Sequence, residues 1–98
     1  MSLPITITPD ARSDMDAAHA WYESIQPGSG EAFNDDVSAT ITTIGQTPEL
    51  YGRVNRTTRA APLADHKYVV YYRIEADCVL VVAVMHARAD PKRWNRRR

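Results

Sequence analysis

The spacing of apolar residues changes character along this chain, and each change predicts an element. Ile5-Thr6-Ile7 alternates and predicts a short strand. From Ala11 the period lengthens. Ala11, Met15, Ala18, Tyr22 and Ile25 recur every three or four positions and share one helical face, with Trp21 beside it. Thr8-Pro9-Asp10 has the composition of a helix start: a capping hydroxyl, a proline suited to the first turn, and a carboxylate for the positive end of the dipole. Pro27-Gly28-Ser29-Gly30 breaks that helix. Phe33, Val37, Thr40/Ile41 and Ile44 then set up a second, with Gly45 as its expected stop and Pro48 just beyond. Two helices joined so briefly predict an antiparallel hairpin.

The period shortens again in the second half. Thr47–Asn55 reads as a connection and Arg56–Ala61 as a strand with Thr57, Arg59 and Ala61 on one face. Pro62–His66 is a turn. Tyr68, Val70, Tyr72 and Ile74 share one face of the next strand, and Val69, Tyr71 and Arg73 the other. Glu75-Ala76-Asp77 is a short hairpin loop. In Cys78–Met85, strict alternation puts Leu80, Val82, Val84 and His86 on one face and Val79, Val81, Ala83 and Met85 on the other. Both faces are apolar, which predicts a strand covered on each side. The helices can cover one face. The other needs the C-terminal segment with Trp94, or a partner. The order β-α-α-β-β-β predicts an α+β fold, with a helical hairpin packed on one face of an antiparallel sheet.

Length and composition narrow this further. Residues 1–98 suffice for one domain with a thin core. The longest apolar run is strand-sized, and the start of the chain lacks the basic and apolar regions of a secretory signal, so a cytoplasmic location is expected with no membrane partner. The lone Cys78 makes no internal disulfide and reads as a core or edge residue. Net charge is zero but unevenly spread. Residues 1–50 hold one basic group against eight acidic ones, −7, and residues 51–98 hold eleven against four, +7. The basic half suits a nucleic acid or an acidic protein segment, although solvated helix faces and a loose tail give the same sums.

The C-terminal residues carry the most specific pattern. After the apolar strand comes His86-Ala87-Arg88, then Pro91, Trp94 and a basic tail. Together with the strand Ile5–Ile7, helices containing Ala11 and Tyr22 and then Phe33 and Ile44, the Pro48 and Gly52 connection, Arg59 and the Tyr68–Tyr72 strand, this resembles the RelE/ParE superfamily of bacterial toxins. The match runs over nearly the whole chain. One departure is His66-Lys67-Tyr68, where the family often has Phe-Pro-Tyr. The resemblance implies a toxin of a type II toxin–antitoxin (plasmid stabilisation) module, neutralised by a cognate antitoxin protein. It implies one of two targets: DNA gyrase for relatives of the ParE kind, or mRNA on the ribosome for those of the RelE kind. The His-x-Arg…Pro…Trp ending looks closer to ParE, whereas the basic His66-Lys67 pair is similar to that of some ribosome-dependent nucleases. Self-association into a homodimer stays open.

The nuclease reading requires a base for the 2′-hydroxyl, an acid for the leaving oxygen, and cations on the phosphorane. His86 and His66 suit the proton transfers and Arg59 the phosphate, because a guanidinium makes paired charge-assisted hydrogen bonds. Arg59, Lys67, Tyr72, Arg73, Arg88, Trp94 and Arg97 are the candidate binding residues. Each also has a structural reading. His86 can cap a sheet edge, His66 can be solvated in its turn, and Arg59 can bridge to a carboxylate. Arg73 and Arg88 can be ordinary surface charges, Tyr68 and Tyr72 core, Trp94 an anchor for the C-terminal segment, and Arg96–Arg98 a mobile end. No His-x-x-x-His pair, cysteine cluster or phosphate-cradling glycine loop occurs, so neither a metal nor a cofactor is expected. A chain neutral overall gains little from the phosphate field of the ribosome. Together these features favour a non-enzymatic gyrase inhibitor over a metal-independent endoribonuclease.

Overall fold

The computed structural model describes residues 3–97; Arg98 of the expected mobile end lies outside them. Strand β1 (Ile5–Ile7) leads into helices α1 (Pro9–Ile25) and α2 (Ser29–Gln46). Strands β2 (Arg59–Pro62), β3 (Tyr68–Ile74) and β4 (Val79–His86) follow, and a short helix α3 (Lys92–Asn95) closes the sequence. The fold is α+β, with the helical hairpin on one face of a four-stranded sheet ordered β1-β4-β3-β2. β2, β3 and β4 are antiparallel, as the pattern implies, but β1 joins β4 in parallel. Alternation in three residues carries no directional information. The direction follows from the chain path, because the two helices return the chain to the end of the sheet from which β1 departs. No helix among the described residues is long and apolar enough to cross a membrane.

Local chemistry fixes the helix ends. Thr8 Oγ1 accepts from the Ala11 N–H at 3.1 Å, and Pro9 opens α1 where no intrahelical donor is needed. Between the helices, Gly28 adopts φ +93°, a conformation glycine enters without steric cost. The Glu23 carboxylate accepts from the N–H groups of Gly28 and Gly30 at 3.0–3.1 Å. These two hydrogen bonds hold its carboxyl below the usual value. Gly30 sits so close to α1 that a Cβ would lie 2.7 Å from the His19 ring and 2.9 Å from the His19 carbonyl oxygen. Helix α2 does not stop at Gly45. It runs one residue further, and Gly45 lies against Ile5, where a side chain would crowd β1.

The core on the helical side joins Ala11, Ala18, Phe33, Val37 and Ile44 to Val70, Tyr72, Val79, Val81 and Val84 of the sheet. One residue departs from the expected helical stripe: Ile25, the last of α1, is 63 % exposed, and Trp21 beside the stripe is 55 % exposed.

The expected faces of β4 hold only for its first half. Tyr71 pairs with Ala83 and Tyr72 with Val81, so Val82 has no partner across the ladder. This bulge places Val82 and Ala83 on the same face, and Val84 returns to the helical side with Val79 and Val81. Beyond Val81, where β1 ends, that edge of β4 has no neighbouring strand, and a single ion pair takes two of its backbone groups. Asp14 of α1 accepts the Val84 N–H at 3.1 Å. Arg97 donates to Asp14 at 2.6 and 3.2 Å and to the Val82 carbonyl at 3.1 Å. Hydrogen bonding to Asp14 pushes the Arg97 guanidinium above its ordinary pKa.

The second face of the sheet is closed by the chain itself. Trp94 of α3 is buried and stacks on Tyr71, with ring centroids 4.3 Å apart, over Val69, Val82, Ala83 and Met85. This face therefore needs no partner, and Arg97 is an anchored residue rather than part of a loose end.

Two stability tests follow. Gly30→Ala should lower the urea midpoint, at a cost of about 1–3 kcal/mol, because neither the His19 carbonyl nor the helix spacing can yield freely. Asp14→Ala should cost about 1–3 kcal/mol by orphaning the Val84 N–H. Arg97→Ala on top of it should add less than it costs alone, since both remove one network. Additive losses in a double-mutant cycle would show the two groups to be independent.

Candidate functional site

The expected site residues do not converge. Tyr68 pairs with His86 and Arg59 with Tyr72, four positions further along β3 and on the far strand. With about 3.3 Å per residue and about 4.8 Å per strand, the Arg59 and His86 backbones lie roughly 16 Å apart. The shared rim of imidazole and guanidinium groups is absent, and two separate basic regions take its place.

The first lies where β3 begins and β4 ends. His86 packs its ring edge-on against Tyr68, with centroids 5.5 Å apart, and its Nδ1 accepts from the Arg88 N–H at 3.1 Å. That acceptance puts the proton of the neutral imidazole on Nε2. His86, Tyr68, Ala18, Trp21, Val84 and Arg93 line a shallow cleft of about 240 Å³ between α1 and the sheet. Lys67 and Arg88 are exposed nearby, and the Lys67 carbonyl accepts from the Ala87 N–H at 2.9 Å.

His66 is close in sequence yet belongs to the core. Its Nδ1 lies 2.7 Å from Asp36 Oδ2, and its ring meets Tyr22 and Phe33 edge-on. An ionised carboxylate only accepts, so Nδ1 carries the proton. Asp36 also accepts from the backbone N–H groups of Ala64 at 3.2 Å and Asp65 at 2.9 Å. Burial is the largest single influence on this carboxyl and raises its pKa. The hydrogen bonds from His66, Asp65 and Ala64 together outweigh it and hold the group below its ordinary 3.8. The expectation of a solvated turn histidine fails because Asp36 sits one position before Val37 on the buried face of α2 and draws the turn onto it. A carboxylate at a core position was the available signal, and Asp14, three residues after Ala11, carries the same one.

The second region surrounds the connection from α2 to β2. Asn55 organises it, with Oδ1 accepting from the N–H groups of Thr57 at 2.9 Å and Thr58 at 2.7 Å. Arg59 Nη1 donates to the Tyr51 carbonyl at 2.8 Å, which fixes its guanidinium at the sheet edge. Arg53, Arg56 and Arg59 line a cleft of about 430 Å³ with Pro48, Ile74 and Glu75. Arg53 and Arg56 were missed in the sequence, where the three-residue spacing Arg53-x-x-Arg56-x-x-Arg59 was visible. The strand expected from Arg56 begins only at Arg59 because Asn55 turns the intervening residues.

Tyr72, a candidate binding residue, is fully buried, and its hydroxyl donates to the Pro48 carbonyl at 2.6 Å. Burial raises its pKa, partly offset by Arg59. Trp94 is likewise occupied by Tyr71, and Arg97 by Asp14. Arg73 is half-buried on the second face beside Leu80, with its Nε lacking a partner among the described residues.

The family described as the ParE toxin of type II toxin-antitoxin system, parDE, has a model that matches residues 5–91, nearly the whole described chain. The chain belongs to that family. The ParE-type fold is also seen in a solved structure, the chromosomal ParDE TA system from P. aeruginosa. It superposes with a TM-score of 0.78 over 87 % of this chain and 96 % of that one, at 16 % identity. No curated protein matches in sequence. The family match ends at Pro91, so α3 and the Arg97 anchor lie beyond it.

The Asp36 cluster makes a pH-dependent prediction for this ParE-family chain. A carboxyl with a lowered folded pKa contributes stability that is complete above its unfolded value and is lost as pH falls through the folded one. Asp36→Asn should therefore be less stable than the parent at neutral pH by about 1–3 kcal/mol. The gap should narrow in acid, below the ordinary value of 3.8. Denaturant midpoints measured across that range would check it; a constant gap contradicts the assignment.

Proposed function

We propose that this ParE-family chain is a cytoplasmic toxin that inhibits DNA gyrase without catalysing a reaction of its own, and that a cognate antitoxin protein neutralises it. The observation that carries the proposal is the dispersal of the groups RNA cleavage would need. His66 is committed to Asp36 and Tyr72 to Pro48, while Arg59 and His86 stand at opposite ends of the sheet. A phosphorane with no acid–base pair around it gains little from scattered cations. The neutral overall charge agrees, since entry into the ribosome is driven by phosphate attraction. The antitoxin is supported by the family and by the ParDE pairing named for the structural relative.

One observation favours a second reading. The cleft at His86 gathers an imidazole, the Tyr68 ring and Arg93 in one place, with the Arg88 N–H bonded to His86. A ribosome-dependent mRNA endonuclease would use that cleft, without His66 or Arg59.

Purified protein added to gyrase should block supercoiling or trap cleaved DNA, and His86→Ala should leave that effect intact. Translating ribosomes should show no new mRNA cuts. Cuts that disappear with His86→Ala would replace the gyrase reading with the nuclease one.

A further inference from the structure

We infer that the cleft lined by Arg53, Arg56 and Arg59 is a docking site for a partner protein's segment that combines carboxylates with apolar side chains. Arg59 is already oriented, because its Nη1 is held by the Tyr51 carbonyl at 2.8 Å and it flanks the buried Tyr72. A guanidinium held in this way loses less freedom when it binds a carboxylate. Arg53 and Arg56 are exposed on the same rim, and none of the three forms an ion pair among the described residues. The cleft holds about 430 Å³, enough for several side chains of an extended segment.

Two features select a protein over a nucleic acid. Glu49 and Glu75 also line the cleft, so its net charge is only +1, too little for the dense charge of a run of phosphates, whereas spaced carboxylates separated by apolar residues can each meet one guanidinium and avoid the glutamates. None of its lining residues is aromatic, so bases find no stacking platform. The apolar neighbours point the same way. Leu50 is 60 % exposed and Val54 49 % exposed, both in the loop that carries Arg53. Arginines interleaved with exposed aliphatic side chains have the composition of a protein interface, where guanidinium groups anchor and apolar neighbours exclude water. Asn55 stiffens the loop from within, so the surface is built before a partner arrives.

The inference does not depend on gyrase being the target; it needs only that the toxin meets a protein. The test uses the intact chain and a fluorescein-labelled peptide of alternating glutamate and leucine, followed by fluorescence anisotropy. Binding should saturate, weaken with added salt, and fall about tenfold in Arg53→Glu with Arg56→Glu, two rim charges that no core contact uses. Leu50→Ser should weaken it as well, whereas an all-glutamate peptide should bind more poorly than the alternating one. Thermal melts matching the parent would show both variants folded. Absence of saturable binding, or equal binding by the all-glutamate peptide, overturns the inference. So does oligothymidylate binding more tightly and being lost in the same arginine variants, which would mark a nucleic-acid site. A chain that blocks gyrase but ignores the peptide would sink this inference alone; one that binds the peptide and spares gyrase would sink only the proposed function.

Discussion

The contact between Asp14 and Arg97 organises the molecule. Val82 interrupts the ladder of the central strand, and past Val81 that strand has no β1 neighbour, so the Val84 N–H and Val82 carbonyl would otherwise cost about 1–3 kcal/mol each when left unpaired. One carboxylate and one guanidinium take both. The same two side chains bind α1 to β4 and tie the C-terminal segment over the sheet. Without the bulge, Val84 would fall on the far face and the helical core would lose a member. Without Arg97, Trp94 would hold the second face alone.

The uneven charge of the sequence acquires a structural meaning here. Several carboxylates of the acidic half are engaged in intramolecular hydrogen bonds, two of them away from the surface. Asp14 binds the bulge and Arg97, Asp36 binds His66 and the turn before β3, and Glu23 closes the interhelical turn. Apart from Arg97, no arginine or lysine forms an ion pair among the described residues, so the free positive charge is shared between the β2 edge and the end of β4. The −7 and +7 of the two halves therefore overstate the polarity of the folded surface.

What was legible in the sequence depended on whether one residue type dictated the outcome. The start of α1 was readable because Thr8 and Pro9 act on their own neighbours, and Tyr68–Ile74 because its alternation is unbroken. The closing of the second face by Trp94 was one of two alternatives the apolar pattern left open, the other being a partner. The bulge was not readable, since Val82 and Ala83 are both apolar and alternation looks intact whichever of them is skipped. Nor was the direction of β1, which depends on where α2 delivers the chain. The site suffered most. Grouping His66, His86 and Arg59 presumed that basic residues near one hairpin share one edge. Register decides that, and it carried Arg59 to the opposite end. His66 was misread because its partner Asp36 is thirty positions away.

The parallel pairing of β1 with β4 has a consequence for the birth of the chain. Ile5 meets Val79, and Asp14 meets Arg97 across 83 positions, so the earliest residues wait for the latest. While the ribosome still encloses the C-terminal stretch, the helical hairpin can form but the sheet beneath it cannot close. A nascent copy therefore carries its helical hairpin without the sheet that backs it, and the parallel edge is completed only when the last strand has left the ribosome.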